Sequence, residues 1–153
     1  MAIFSRPRKT ILAILGGIGA IAAATTASAT PNVAMDSAVF VEKSTGKNLR
    51  QLEPARQLRR GDRVVTIVSW YRMGGNGGFV ITNPLPRAIA YESSAREDTE
   101  VSVDGGKTWG KLSQMRIGSR VASPEDVTHV RWRIAPGIAA SGKGHLAYSG
   151  VVR

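Results

Sequence analysis

The chain has 153 residues and a net charge of +10, with 21 lysines and arginines against 11 aspartates and glutamates. It contains no cysteine, which excludes disulfides, a thiol nucleophile and a cysteine-ligated metal. A basic protein of this kind attracts polyanions such as acidic polysaccharide, phosphate headgroups or nucleic acid, although the same charge also serves solubility.

The first 29 residues have the three parts of a cleavable export signal. Three basic side chains before residue 10 precede an apolar stretch at residues 11–24, and the small residues Ala27, Ser28 and Ala29 follow. The apolar stretch is shorter than the roughly 20 residues that span a bilayer as a helix, which favours cleavage over retention as a membrane anchor. No two arginines are adjacent there, which favours general secretion over the twin-arginine route.

We therefore predict cleavage after Ala29 and a mature chain of residues 30–153. Cleavage removes three basic side chains and leaves 18 basic and 11 acidic ones, a net charge of +7. This length corresponds to a single domain that buries a core through packing alone. The predicted location is the periplasm, the cell surface or the medium, with membrane contact only during export.

The mature chain lacks long segments with apolar residues at helical spacing. Residues 62–72 are the strongest predicted strand, apolar on both faces as in a central strand. Residues 127–134 alternate, with Val130 and Trp132 inward and His129 outward. Other strands are predicted at residues 37–43, 79–83, 87–94, 99–104 and 145–152. About seven strands separated by turn residues predict an all-β fold, an immunoglobulin-like antiparallel β-sandwich.

Several short motifs follow one another between residue 58 and the C-terminus. Gly61-Asp62 opens the long strand, residues 81–86 read Ile-Thr-Asn-Pro-Leu-Pro, and Ala90-Tyr91 lies in the predicted strand at residues 87–94. In this order they resemble a bacterial surface family called domain of unknown function eleven. The resemblance implies an immunoglobulin-like sandwich with a structural or adhesive role and no catalytic residues. Members of that family commonly carry many repeats, whereas this sequence shows one copy.

Arginines are concentrated in one segment and on one strand. We treat them as a candidate polyanion-binding set for an acidic envelope polysaccharide: Arg56, Arg59, Arg60, Arg63, Arg131 and Arg133. Stacking aromatic residues do not alternate with the arginines of residues 56–63, and no nucleic-acid-binding motif is present, so no specific nucleic-acid partner is predicted. A solvated charged edge is the simpler interpretation, and both interpretations stay open.

Residues 102–109 match the aspartate box of sialidase-like propellers. We interpret Asp104, Gly106 and Trp109 as a structural turn, in which the carboxylate accepts backbone N–H groups, the glycine takes a positive φ and the tryptophan packs beneath. A propeller repeats this box once per blade, and the sequence has one copy. Arg60-Gly61-Asp62 spells an integrin-binding tripeptide, but a turn before the long strand explains it more simply.

The sequence offers few groups for chemistry. His129 and His145 are the only histidines, and neither has partners at the spacing of a zinc site or a catalytic triad. Acidic residues at 97–100 and 125–126 fall in predicted polar turns. We predict no metal, no cofactor and no enzymatic activity. A small hydrolase would require one histidine to converge with a serine and an acid.

Three functional hypotheses follow from these features. The first is an exported, non-enzymatic structural or adhesive module of the bacterial envelope, with an unidentified protein or envelope polysaccharide as partner. A polyanion- or carbohydrate-binding module that uses the arginines is the second. The third is a subunit of an extracellular filament that self-associates by strand donation.

Overall fold

The computed structural model describes residues 29–46 and 49–153. The predicted export signal lies outside these residues apart from Ala29. The described chain contains ten strands: β1 (Asn32–Thr45), β2 (Leu49–Pro54), β3 (Arg63–Gly74), β4 (Phe79–Pro84), β5 (Ile89–Ser94), β6 (Glu100–Ser102), β7 (Arg116–Ile117), β8 (Arg120–Val121), β9 (His129–Ile134) and β10 (Lys143–Val152). Helical structure within the same ranges is limited to two 3-10 turns at Leu112–Gln114 and Pro124–Asp126 and a short helix, α1 (Pro136–Ala139). None of these helices is long and apolar enough to cross a membrane.

The strands form antiparallel sheets. A five-stranded sheet has the order β2-β1-β3-β10-β5, a three-stranded sheet has the order β4-β9-β6, and β7 and β8 form a small hairpin. The predicted all-β class is therefore confirmed. Three strands, β2, β7 and β8, have no counterpart among the predicted ones, because β2 is polar and ends in a proline and the other two are only two residues long.

Strand β3 lies at the centre of the larger sheet. It pairs with β1 along one edge and with β10 along the other, so its backbone is bonded on both sides. Val64, Val68 and Trp70 point to one face and are buried, while Val65 and Ile67 on the opposite face are half-buried. A strand that packs on both faces reads as a nearly continuous apolar run, which is why residues 62–72 gave the strongest strand signal.

The main core lies between the two sheets and is built around two tryptophans. Trp70 of β3 and Trp132 of β9 are both almost completely buried. The Trp70 ring packs edge-on against Phe79 of β4, with ring centroids 5.2 Å apart. Trp132 faces Tyr148 of β10 at 6.2 Å, and the Tyr148 hydroxyl accepts a hydrogen bond from the Asn83 side chain at 3.0 Å. These contacts place β4 and β9 over β3 and β10.

Two glycines of β10 allow this close packing. A Cβ atom at Gly144 would lie 2.6 Å from the Trp70 ring, and one at Gly150 would lie 2.4 Å from the Ile89 side chain. Gly150 also sits where the pairing between β10 and β5 shifts register. Both positions therefore require the absence of a side chain.

The larger sheet extends beyond the smaller one on the side of β1. Met35 and Val39 of β1 pair with Trp70 and Thr66 of β3, so their side chains point to the same face as the buried core residues. Yet Met35 is 55% exposed and Val39 is 38% exposed. The three-stranded sheet covers β3 and β10 but leaves this part of β1 open to solvent.

Replacing Trp132 by alanine should strongly destabilise the fold. Removal of a fully buried tryptophan leaves a large cavity, so we expect the free energy of unfolding to fall by about 3–5 kcal/mol. Urea titration followed by circular dichroism measures this loss. The matched control is Val80→Ala in β4, whose side chain is 49% exposed; its effect should stay within about 0.5 kcal/mol. Equal effects of the two substitutions would contradict the placement of Trp132.

Candidate functional site

The loop after β6 is organised by the carboxylate of Asp104. Its Oδ1 accepts hydrogen bonds from the backbone N–H groups of Lys107 (3.0 Å) and Thr108 (2.9 Å) and from the hydroxyl of Ser102 (2.7 Å). Its Oδ2 accepts a bond from the Thr108 hydroxyl at 2.6 Å. The Thr108 hydroxyl, the Thr108 N–H and the Ser102 hydroxyl hold the pKa of Asp104 well below its usual range.

The same loop positions a tryptophan beside the smaller sheet. Gly105 and Gly106 both have positive φ (79° and 90°), and the Trp109 indole N–H donates to the Gly106 carbonyl at 2.9 Å. The Arg131 guanidinium lies over the Trp109 ring, 4.4 Å from its centroid. The His129 ring is oriented edge-on to the Trp109 ring, with the two centroids 6.3 Å apart. Asp104, Gly106 and Trp109 thus form one compact turn that packs on β9.

The outward arginines of β9 are held by a single acid. Glu100 of β6 accepts a hydrogen bond from Arg131 at 2.9 Å and lies 3.2 Å from Arg133. Two guanidinium groups therefore share one carboxylate, which leaves an excess of one positive charge at this site. Because Arg131 also stacks on Trp109, its planar group is already committed within the molecule.

The other four arginines of the candidate set lie on a different part of the molecule, beside the larger sheet. Arg63 lies between two acids, 3.2 Å from Glu42 and 2.7 Å from Glu92. The remaining three are exposed, and no acidic group of the described ranges lies within ion-pair distance of them: Arg56, Arg59 and Arg60. The structure therefore divides the six arginines between two sites.

Gly61 and Asp62 form a turn before β3. Gly61 has a φ of 88°, and the Asp62 carboxylate accepts the backbone N–H of Arg59 at 2.7 Å. Asp62 also bonds through its backbone carbonyl to the N–H of Val152 at 2.9 Å, which ties the turn to the last strand. The tripeptide Arg60-Gly61-Asp62 therefore has its acidic side chain engaged within its own loop.

A groove of about 600 Å³ lies between the β1–β2 hairpin and the loop before β3. Its charged lining comprises three acids and three bases, so the groove itself has no excess positive charge. Lys43 and Glu53 further neutralise each other at 2.6 Å. The charged lining residues are Glu42, Lys43, Glu53, Arg56, Arg59 and Asp62. A polyanion would consequently meet exposed arginine side chains rather than a built anion pocket.

Tertiary pairing also brings together a serine, a histidine and an acid. Ser69 of β3 lies opposite Asp36 of β1 on one side and His145 of β10 on the other. The Ser69 hydroxyl and the His145 Nδ1 are 3.0 Å apart. Sequence spacing could not reveal this row, because it depends on the register of three strands that are distant along the chain.

This row does not have the geometry of a hydrolytic triad. In a triad the histidine lies between the nucleophile and the acid, whereas here the serine occupies the middle position. The three residues also lie on an open sheet face, where the N–H groups of β3 are bonded in ladders and are not free to stabilise an oxyanion. The row holds a hydrogen-bonded Ser–His pair, and its acid lies on the far side of the serine instead of behind the histidine.

The two aspartates of the predicted turns are also engaged in local bonds. Asp126 accepts two hydrogen bonds from Arg120 (2.6 and 2.8 Å) and one from the Ser123 N–H (2.7 Å), and these lower its pKa. Arg96 donates to Asp98 at 2.8 Å and likewise lowers the pKa of that carboxyl. No group of three or more histidine and acidic side chains within residues 29–46 and 49–153 could hold a metal ion.

Strand β1 has a free edge along its first half. Strand β2 pairs with β1 only from Phe40 onward, so residues 32–38 have no strand partner on that side within the described chain. The Val39 carbonyl points to this side, since it accepts the N–H of Ala55 at 3.0 Å. Along a strand, the backbone N–H and carbonyl groups of successive residues point alternately to its two edges. Val33, Met35 and Ser37 therefore point theirs to the same free edge as Val39. The Ser37 N–H bonds to the Asp36 carboxylate at 2.9 Å instead of to a strand.

Comparisons with protein-family models, with curated proteins and with solved structures found no match to this chain. Function therefore has to be inferred from the chemistry of the surface. Two features of that surface are candidates for an interaction: the exposed residues 34–39 of β1 and the three exposed arginines before β3.

Replacing Asp104 by asparagine should change the acid sensitivity of the fold. The folded-state pKa of Asp104 lies below its ordinary value of 3.8, so its ionised form stabilises the fold above that pH and this contribution is lost as the pH falls. Urea unfolding midpoints should therefore differ most between wild type and Asp104→Asn near about pH 6 and should converge toward about pH 2. The control is Asp36→Asn on the exposed sheet face. A difference that is constant with pH would argue against these hydrogen bonds.

Proposed function

We propose that this chain is an exported, non-enzymatic structural or adhesive module of the bacterial envelope, built as an immunoglobulin-like β-sandwich. It is secreted through the signal at residues 1–29 and acts in the periplasm or at the surface. The all-β antiparallel architecture is consistent with this proposal, and so is the resemblance of residues 58–153 to domain of unknown function eleven. Two packed antiparallel sheets are the minimal form of such a sandwich.

The single observation that carries the proposal is the exposed middle of β1, at residues 34–39. Met35 and Val39 point to the face that elsewhere forms the core, and both remain substantially exposed. Next to them the strand edge presents unpaired backbone groups. Native proteins usually protect such an edge with charges, prolines or a covering element, so an open apolar edge indicates an interaction surface.

The remaining chemistry favours binding over catalysis. The row of Asp36, Ser69 and His145 has the wrong order for a hydrolytic triad and lies on a flat face rather than in a cleft. The groove beside the β1–β2 hairpin has balanced charges. Interaction through a sheet edge needs none of these groups, since main-chain hydrogen bonds provide the affinity and alternate side chains provide the specificity.

Binding of acidic envelope polysaccharide is the second candidate function. It is favoured by Arg56, Arg59 and Arg60, which are exposed on one segment and have no acidic partner among the described residues. Three such groups can attract a polyanion through long-range electrostatics, and this attraction weakens with salt. Arg63, Arg131 and Arg133 contribute less to this function, because each already forms an ion pair with an acid of the same chain.

Photo-crosslinking in the native cell tests the interaction module. With a benzophenone amino acid at Met35, we expect crosslinks on the exported protein, because that side chain lies at the proposed contact surface. The control position is Lys107 in the Asp104 turn, exposed on the other sheet. Mass spectrometry of the same material should find Thr30 as the first residue. Protein retained in the cytoplasm, or equal crosslinking at both positions, would refute the proposal.

Retention on an immobilised acidic polysaccharide tests the second candidate. We expect Arg59→Ala with Arg60→Ala to elute at clearly lower salt than wild type, since two unpaired charges are lost. The double variant Arg87→Ala with Arg116→Ala removes the same charge at exposed positions elsewhere. If both double variants elute alike, retention reflects net charge alone and the second candidate fails.

A further inference from the structure

We propose that the free edge of β1 binds a second copy of this chain, so that two β1 strands pair antiparallel with Met35 opposite Met35. The two five-stranded sheets then form one continuous ten-stranded sheet. This inference rests on the proposed function, because it names the partner of the surface that the interaction module uses.

The backbone supplies the main attraction. Val33, Met35 and Ser37 each direct an N–H and a carbonyl to the free edge, which gives six groups that a neighbouring strand can bond. Five of them have no bond within the described chain, and the Ser37 N–H bonds only to its neighbouring carboxylate. A second β1 strand offers the same groups at the same spacing, so each donor can meet an acceptor.

Geometry fixes the register of this pairing. In an antiparallel pair, two directly opposed residues point their side chains to the same face of the sheet. In a symmetric pair of β1 strands, the two-fold axis must therefore lie between one residue and the same residue of the second copy. The free segment covers residues 32–38, and Met35 is its midpoint. Centring there pairs all seven residues and places Val33 opposite Ser37 of the second copy. Every other centre pairs fewer residues.

The charges of the segment agree with this register. Between Pro31 and Val41 the only charged side chain is Asp36. Centring on Met35 places each Asp36 opposite Ala34 of the second copy, whereas centring one residue later would place two aspartates face to face. The segment itself carries no basic side chain.

The sheet edges at β2, β4 and β6 are less suited to pairing. The outer edge of β2 carries Arg50 and Glu53 and ends in Pro54. Strand β4 has six residues and also ends in a proline, while β6 has only three residues. Prolines, charges and short length are the devices that prevent edge-to-edge pairing. Residues 32–38 lack lysine, arginine and proline, and a single aspartate protects the edge.

The proposed pairing is closed. Each copy uses the same surface, so the contact is isologous and ends at a dimer. A filament would need two different complementary surfaces on each copy. This pairing therefore produces a dimer and not the filament that the third hypothesis from the sequence described.

Cysteine crosslinking tests the register directly, because the chain has no cysteine of its own. In the purified mature protein, Met35→Cys places two thiols on opposed residues about 5.5 Å apart between Cα atoms, within disulfide range. The matched control is Ser37→Cys, two residues away on the same face, where the two copies would be about 14 Å apart. Under mild oxidation we expect Met35→Cys to form disulfide dimers at least about tenfold faster than Ser37→Cys. Equal rates would overturn the register.

Sedimentation measures the dimer itself. Met35→Lys should abolish it, because two like charges would lie directly opposite, and should leave the monomer folded, because the side chain is 55% exposed. Met73→Lys is the control, because Met73 of β3 is also a strongly exposed methionine, at 68%. Raising the salt concentration from about 50 to 500 mM should strengthen the wild-type dimer by screening the two positive copies.

The possible failures point to different conclusions. A wild-type protein that stays monomeric at all salt concentrations would overturn self-pairing, as would open-ended filaments. Crosslinking of Met35 to a different protein in the cell, together with a monomer in solution, would refute the dimer and leave the interaction module standing. Absence of any contact at Met35 in the cell would refute both.

Discussion

The pairing of β3 on both of its edges is the constraint on which the rest of the structure depends. Its ladders with β1 and β10 join segments that lie far apart along the chain and orient Trp70 toward the second sheet. Trp132 and Tyr148 complete that core from β9 and β10. Because the chain has no disulfide, this interlocked apolar packing has to supply most of the stability. The glycines of β10 matter for the same reason, since they let the Trp70 ring and the β5 backbone approach closely.

The offset between the two sheets follows from the unequal number of their strands. Three strands cannot cover five, and the contacts of Trp70, Trp132 and Asn83 place the smaller sheet over β3 and β10. Strand β1 is consequently held in place by β3, while its residues 34–39 stay exposed and its residues 32–38 have no outer strand neighbour within the described residues. A structural requirement of the core thus produces the surface on which the proposed interaction depends. The pairing that we infer adds a neighbour to this strand without disturbing the core.

Local hydrogen bonds organise the polar part of the molecule. Asp104 closes its loop with backbone and hydroxyl donors, and this places Trp109 under Arg131. Glu100 then bonds to Arg131 and Arg133, so charges that look available in the sequence are committed within the fold. By contrast, Arg56, Arg59 and Arg60 have no acidic group of the described residues within ion-pair distance. The distinction between engaged and free arginines is what separates a structural cluster from a candidate polyanion site.

The sequence by itself determined the all-β class, the central strand and the inward tryptophans, because alternation and β-branched runs are local signals. It also indicated the Gly61-Asp62 and Asp104 turns, whose hydrogen bonds connect near neighbours. Strand β2 could not be predicted, since its polar residues form a strand only when β1 pairs with them. The row of Asp36, Ser69 and His145, the pairing of Arg63 with Glu42 and the exposure of Met35 depend on register and on sheet offset. These are long-range properties, and only the tertiary structure decided them.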